Sequence, residues 1–179
     1  MNLPKPLDGH CMVKINNSHV FITAGYDENG YGDPSVSSYI YNGVEFIQVA
    51  DMPACPTPPC NFPPNIRGHR FGPGCGLHDN HIFVFGGYMD TASSEVFSLK
   101  TLTWSKGPDS PQTSVWSSFG FGIGLRLVSI NGTTYIIGNN GIYSLATTGE
   151  SSWEVVTIIE WDGFKSYYDV IPMNLEDCK

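Results

Sequence analysis

The sequence predicts an all-β chain built from about three copies of one four-stranded antiparallel unit. Three observations carry this. Short β-branched and aromatic runs are closed by tight turn signals, a Gly-Gly or Gly-like doublet ends the second run of each unit, and the whole order recurs along 179 residues.

The central copy, residues 67–111, is the fullest. Residues 69–78 lead to Asp79-Asn80, whose side chains tolerate the positive φ of a two-residue hairpin turn. His81 to Phe85 then form a run short enough for a strand and apolar on both faces, so it needs cover on both sides. Gly86-Gly87 ends that strand, and a doublet there opens backbone conformations closed to other residues. Residues 94–99 and 102–106 supply two further strands, with Phe97 on the first and Trp104 on the second.

The outer copies repeat the order with substitutions. In residues 9–53, Gly9-His10 opens the unit, Asn16-Asn17 makes the turn, Val20 to Ile22 form the strand, and Ala24-Gly25 stands for the doublet. Ser37 to Tyr41, including Tyr39, repeats Ser93 to Phe97, and Phe46 takes the place of the Trp. In residues 119–159, Asn131-Gly132 is the turn, Gly138-Asn139 the doublet, Gly141 to Leu145 the third strand with Tyr143, and Trp153 the aromatic of the fourth. His10 returns as His69 and Trp104 as Trp153, at a period near 50 residues.

This order resembles the kelch motif, and the chain is similar to kelch-repeat β-propellers. The resemblance covers residues 9–159, strongest in the central copy, the one that combines Gly-His, Gly86-Gly87 and Trp104. It implies propeller blades of four antiparallel strands, about three of them, in an incomplete propeller, since closed propellers use about four to eight blades. Blade one spans about 9–53, a Pro- and Cys-rich loop 54–66, blade two about 67–111 and blade three about 119–159. Residues 160–179 are aromatic enough to begin a further blade, so remaining blades are expected from a longer parent chain or another chain.

Within a blade whose strands are labelled a to d, a–b and c–d connections emerge at one end, b–c and d–a at the other. The a–b and c–d turns are short: Asn16-Asn17, Asp79-Asn80, Asn131-Gly132, Asn42-Gly43 and Lys100-Thr101. The long segments, 26–36, 50–67, 88–92 and 107–118, all fall at the opposite end, which is the expected binding face. Tyr26, Tyr31, Tyr88 and Trp116 offer amphipathic contact area there, and Asp27, Glu28, Asp33 and Asp90 make it acidic, favouring a basic protein partner. Each residue also has the plainer role of keeping a polar loop in solution.

A net charge of −8 argues against a polyphosphate or anionic membrane surface as partner, and no apolar run has transmembrane length. The first residues lack the apolar core of a signal peptide. Of the five cysteines, Cys55 and Cys60 bracket a Pro-rich stretch that a disulfide can staple, whereas Cys11 and Cys75, in the first strands of their blades, fit either a bridge or burial. Sequons begin at Asn16 and Asn131, where a tight turn also calls for Asn; with the cysteines they tilt the expected compartment toward extracellular.

No catalytic residue, cofactor or metal is expected. The Gly-His positions His10 and His69 and the post-turn positions His19 and His81 are explained by the repeat, no His-x-His or Cys-x-x-Cys pair occurs, and Asp27, Asn29 and Asp33 lack the spaced ligands of a Ca²⁺ loop. The resemblance implies a non-catalytic protein-interaction module. Its alternatives are a copper enzyme of the galactose-oxidase type, whose scaffold also has kelch-like blades, and a degenerate extracellular propeller fragment without a ligand.

Overall fold

A computed structural model describes residues 3–27, 35–53, 70, 72–87, 93–109, 126–138, 141–145 and 152–158. Fourteen strands occur among them: β1 Leu7–Asp8, β2 Cys11–Lys14, β3 Val20–Thr23, β4 Tyr26–Asp27, β5 Ser38–Tyr41, β6 Phe46–Gln48, β7 Gly74–His78, β8 His81–Phe85, β9 Ser94–Ser98, β10 Thr103–Lys106, β11 Arg126–Ile130, β12 Thr133–Gly138, β13 Gly141–Leu145 and β14 Trp153–Ile158. Twelve of them make three four-stranded antiparallel sheets, β2-β3-β5-β6, β7-β8-β9-β10 and β11-β12-β13-β14, each in simple up-and-down order. β1 and β4 pair separately as a small two-stranded ladder.

The hairpins follow their turn residues. Asp79 and Asn80 have φ of 44° and 61°, and Asn131 and Gly132 have 50° and 80°, the left-handed pair that a two-residue hairpin needs to match strand twist. Asn16-Asn17 behaves differently from expectation. No positive φ occurs there; residues 15–19 form a wider loop closed by a bond from the Ile15 amide to the His19 carbonyl at 2.9 Å. The Asn16 carboxamide oxygen accepts from the amides of Ser18 and His19, both at 2.9 Å, so a side chain holds this turn where backbone chirality holds the others. At the doublets, Ala24 and Gly25 are both left-handed, as are Gly86 and Gly87. Gly138 departs from that pattern: it continues β12 and pairs with Gly141, leaving two residues to connect those strands.

Register puts equivalent residues on equivalent faces. Trp104 lies opposite Phe97, which lies opposite Ile82; Phe46 lies opposite Tyr41, then Val20; Trp153 lies opposite Leu145. Phe46 thus occupies the Trp position of its blade. On β8 the two-faced reading is realised. Ile82 and Val84 enter a core with Val13, Phe21, Met52 and Phe97, while Phe83 and Phe85 enter a second core with Val96, Ile136 and Leu145. The first core joins blade one to blade two and the second joins blade two to blade three, so β8 is buried on both sides because a blade lies against each.

Trp104 stacks at a tilt on Phe97 and Phe21, with ring centroids 5.2 and 5.9 Å away, and its indole Nε1 donates to the Ala50 carbonyl of blade one at 2.8 Å. Trp104→Ala is expected to cost about 3 kcal/mol, the low end for truncating a large aromatic because one ring edge stays solvated. Chemical denaturation measures it; a loss below about 1 kcal/mol would remove Trp104 from the seam. The corresponding Trp153 nitrogen is buried with no partner among the described residues.

Gly76 shows how closely blades two and three approach. A Cβ built there would meet Leu127 Cβ and Cδ2 at 2.6 Å and the Leu127 carbonyl at 3.0 Å. Gly76→Ala should therefore destabilise by about 1–3 kcal/mol through overpacking, measured as a lower denaturation midpoint. An unchanged midpoint would mean that the β7 and β11 strands can separate freely.

Candidate functional site

The expected binding face is the end where b–c and d–a connections emerge. Blade one's b–c connection begins at Tyr26, which is half-buried, and the Tyr26–Asp27 strand is tied through its backbone to Leu7–Asp8. Glu28, Tyr31, Asp33, Tyr88, Asp90 and Trp116 lie outside the described residues, as do His69, Cys55 and Cys60. The described ends of the loops are firmly seated. Ser35 donates its amide to the Gly25 carbonyl at 2.6 Å, and Met52, buried in the first core, donates its amide to the Val36 carbonyl at 2.7 Å. His10 is half-buried, its Nδ1 3.0 Å from the Leu7 carbonyl, so the first Gly-His position holds its own strand entry.

Sequence reasoning missed the residue that organises this end. Arg70 is fully buried, and its guanidinium reaches the Glu95 carboxylate through Nε at 2.7 Å and Nη2 at 2.6 Å. Nη1 donates to the Gly86 carbonyl at 2.6 Å, and Nη2 also donates to the Ser93 carbonyl at 2.9 Å and hydroxyl at 2.7 Å. The Arg70 carbonyl accepts from the Gly25 amide at 3.1 Å. One side chain therefore closes both sides of blade two's b–c loop, while its backbone anchors blade one's doublet. A planar fork with five donors suits this; a single ammonium does not. Glu95 sits on β9 beside Val96 and Phe97 with its carboxylate buried, and an inward carboxylate there requires a buried cation.

Gly25 explains the close passage of the N-terminal segment. A Cβ there would lie 2.5 Å from the Asp8 carbonyl and 2.9 Å from the His10 amide nitrogen, and its φ of 84° disfavours any other residue.

At the opposite end, His78 Nδ1 lies 2.5 Å from the Thr134 hydroxyl across the seam between blades two and three, and its Nε2 lies 3.2 Å from the Asp79 carboxylate. Asn16 and Asn131 are both exposed at turns of that end. Among the described residues no three His, Cys, Asp or Glu side chains converge where a cation would sit, and no helix is long and apolar enough to cross a membrane.

Cys11 and Cys75 are joined by a disulfide, with Cα atoms 6.1 Å apart. Cys11 lies opposite Thr23 on β3, and Cys75 lies opposite Val84 on β8, so the bridge spans the facing sides of blades one and two. The innermost strands β2, β7 and β11 lie side by side, and the bridge joins the first two of them.

Residues 69–117 match the Kelch motif. A kelch repeat-containing protein of Arabidopsis thaliana is 32% identical over 89 residues, which cover 45% of this chain and 22% of that protein. The solved structure of YjhT superposes with a TM-score of 0.60 at 14% sequence identity, covering 89% of this chain and 54% of that one. The chain thus spans about a fifth of the curated relative and about half of the solved neighbour. The central blade thus carries a Kelch motif, and the three four-stranded sheets share the fold of that solved neighbour.

Proposed function

We propose that the chain is a non-catalytic protein-binding module that takes a basic partner on the b–c and d–a loops. Kelch repeats generally mediate protein–protein interaction, and the finer reading rests on one observation. The Arg70 clamp spends a buried ion pair and four hydrogen bonds at that end, fixing the roots of blade two's b–c loop to the blade scaffold. Rigid roots lower the ordering cost of presenting loop side chains to a partner. Tyr26 and Tyr31 supply contact area, and Asp27, Glu28, Asp33 and Asp90 the acidic field. Blade three contributes less to this face, because two residues connect its second and third strands.

A phage-displayed peptide library selected on the 179-residue chain provides the test. Enriched peptides should be rich in Lys and Arg. Tyr31→Ala combined with Asp33→Ala should weaken their binding by about tenfold, ~1.4 kcal/mol, without shifting the denaturation midpoint. Lys100→Ala, at the other end of blade two, should leave binding unchanged. Equal binding by the loop variant, or loss in the Lys100 variant, would place the interaction elsewhere.

A further inference from the structure

Two exposed asparagines carry a carboxamide nitrogen that their turns do not use. Asn16 opens the triplet Asn16-Asn17-Ser18 and Asn131 the triplet Asn131-Gly132-Thr133, both of the N-x-Ser/Thr form with no proline between. In the first, the Asn16 Oδ1 accepts from the Ser18 and His19 amides at 2.9 Å and from the Ser18 hydroxyl at 3.1 Å. Its Nδ2 makes no hydrogen bond among the described residues. An aspartate would serve the same amides, so the turn accounts for an acceptor at this position and not for an amide. In the second triplet the backbone makes the turn, with Asn131 left-handed at φ 50°. The Asn131 side chain makes no hydrogen bond among the described residues, and a Cβ built on Gly132 would meet nothing within 4 Å, so the space beside it is open.

We propose that Asn16 and Asn131 are N-glycosylation sites, whose glycans cap the a–b turn end of blades one and three and leave the loop end clear. The donor is an oligosaccharide carried on a lipid pyrophosphate. Nδ2 attacks the anomeric carbon, the C–N bond forms, the bond from that carbon to the pyrophosphate oxygen breaks, and the released pyrophosphate takes up the amide proton. The Cys11–Cys75 bridge is an independent observation in favour, because disulfides form and persist on the secretory route where this transfer takes place. Val44, Leu102 and Ile130 are exposed at the same end, beside its short turns, and a bulky, solubilising glycan shields such apolar surface. The assignment does not depend on what binds the loops at the opposite end.

Peptide mapping of the protein from its own source tests this. Peptide N-glycosidase acting in heavy-oxygen water turns a glycan-bearing asparagine into a labelled aspartate, and the label is expected at positions 16 and 131. The same digest without reductant should contain the Cys11–Cys75 cross-linked peptides. In the 179-residue chain secreted from insect cells behind a cleavable leader, Ser18→Ala and Thr133→Val should each remove the mass of one glycan, and the pair both. These substitutions keep the two turn asparagines, and retention of the cross-link checks that each variant is folded. An unlabelled asparagine at either position in the source protein would overturn the assignment of that turn, and two unlabelled asparagines would overturn the proposal whether or not the cross-link is present. Glycan mass that survives the paired substitutions would overturn it as well, by placing the modification elsewhere.

Discussion

Cys11→Ser, or reduction of the unsubstituted protein, is expected to lower unfolding free energy by roughly 4 kcal/mol, the loop-entropy value for a bridge closing some 64 residues. The bridge ties β2 to β7 across the seam between blades one and two. Without it, that seam rests on the first hydrophobic core, the Trp104 bond to Ala50, and the backbone bonds that Gly25 and Gly72 donate to the Arg70 and Gly9 carbonyls. Urea denaturation with and without reductant measures the difference. The Cys11→Ser variant should become insensitive to reductant over this transition. A variant as stable as the parent would mean that the two thiols are merely buried neighbours.

Arg70→Met is the second large effect. It removes the Arg70 guanidinium from the buried Glu95 carboxylate, 5% exposed as a residue, and from the Gly86 and Ser93 carbonyls. Breaking one side of a buried pair costs about 3–5 kcal/mol. Arg70→Met combined with Glu95→Leu should recover part of that loss, because the buried charge is removed while the two carbonyls still lack the Arg70 donor. The comparison separates ion pair from loop clamp. Equal loss in single and double variants would assign the whole effect to the carbonyls, and no loss in either would remove Arg70 as the organiser of the loop end.

The parts of this fold that were legible in the sequence are those set by local stereochemistry. Asp79-Asn80 and Asn131-Gly132 declare hairpins because few residues accept left-handed φ, and each places its flanking strands to within a residue or two. Phe46 was readable as a Trp substitute because the repeat fixes its distance from the Asn42-Gly43 turn. Asn16-Asn17 looked like the same kind of turn, yet it folds as a wider loop, since a side chain that accepts two amides can replace left-handed backbone. Arg70 left little trace. Its partner Glu95 is 25 residues away, and its sequence signal is one acidic residue beside the Val96-Phe97 pair of β9. The Cys11 pairing was open for a similar reason: strand alternation says which face a cysteine occupies, but the neighbour across that face depends on how blades stack. The loop residues expected to bind, Tyr31 and Asp33 above all, rest on connection lengths and chemistry alone.

Hydrogen exchange of the chain, with and without a peptide selected on it, is the most direct test of the binding-face assignment. The account predicts protection over residues 26–36 and 88–92, with the Asp79-Asn80 and Asn131-Gly132 turns unchanged. Protection at those turns, with the b–c loops exchanging as in the free chain, would contradict it.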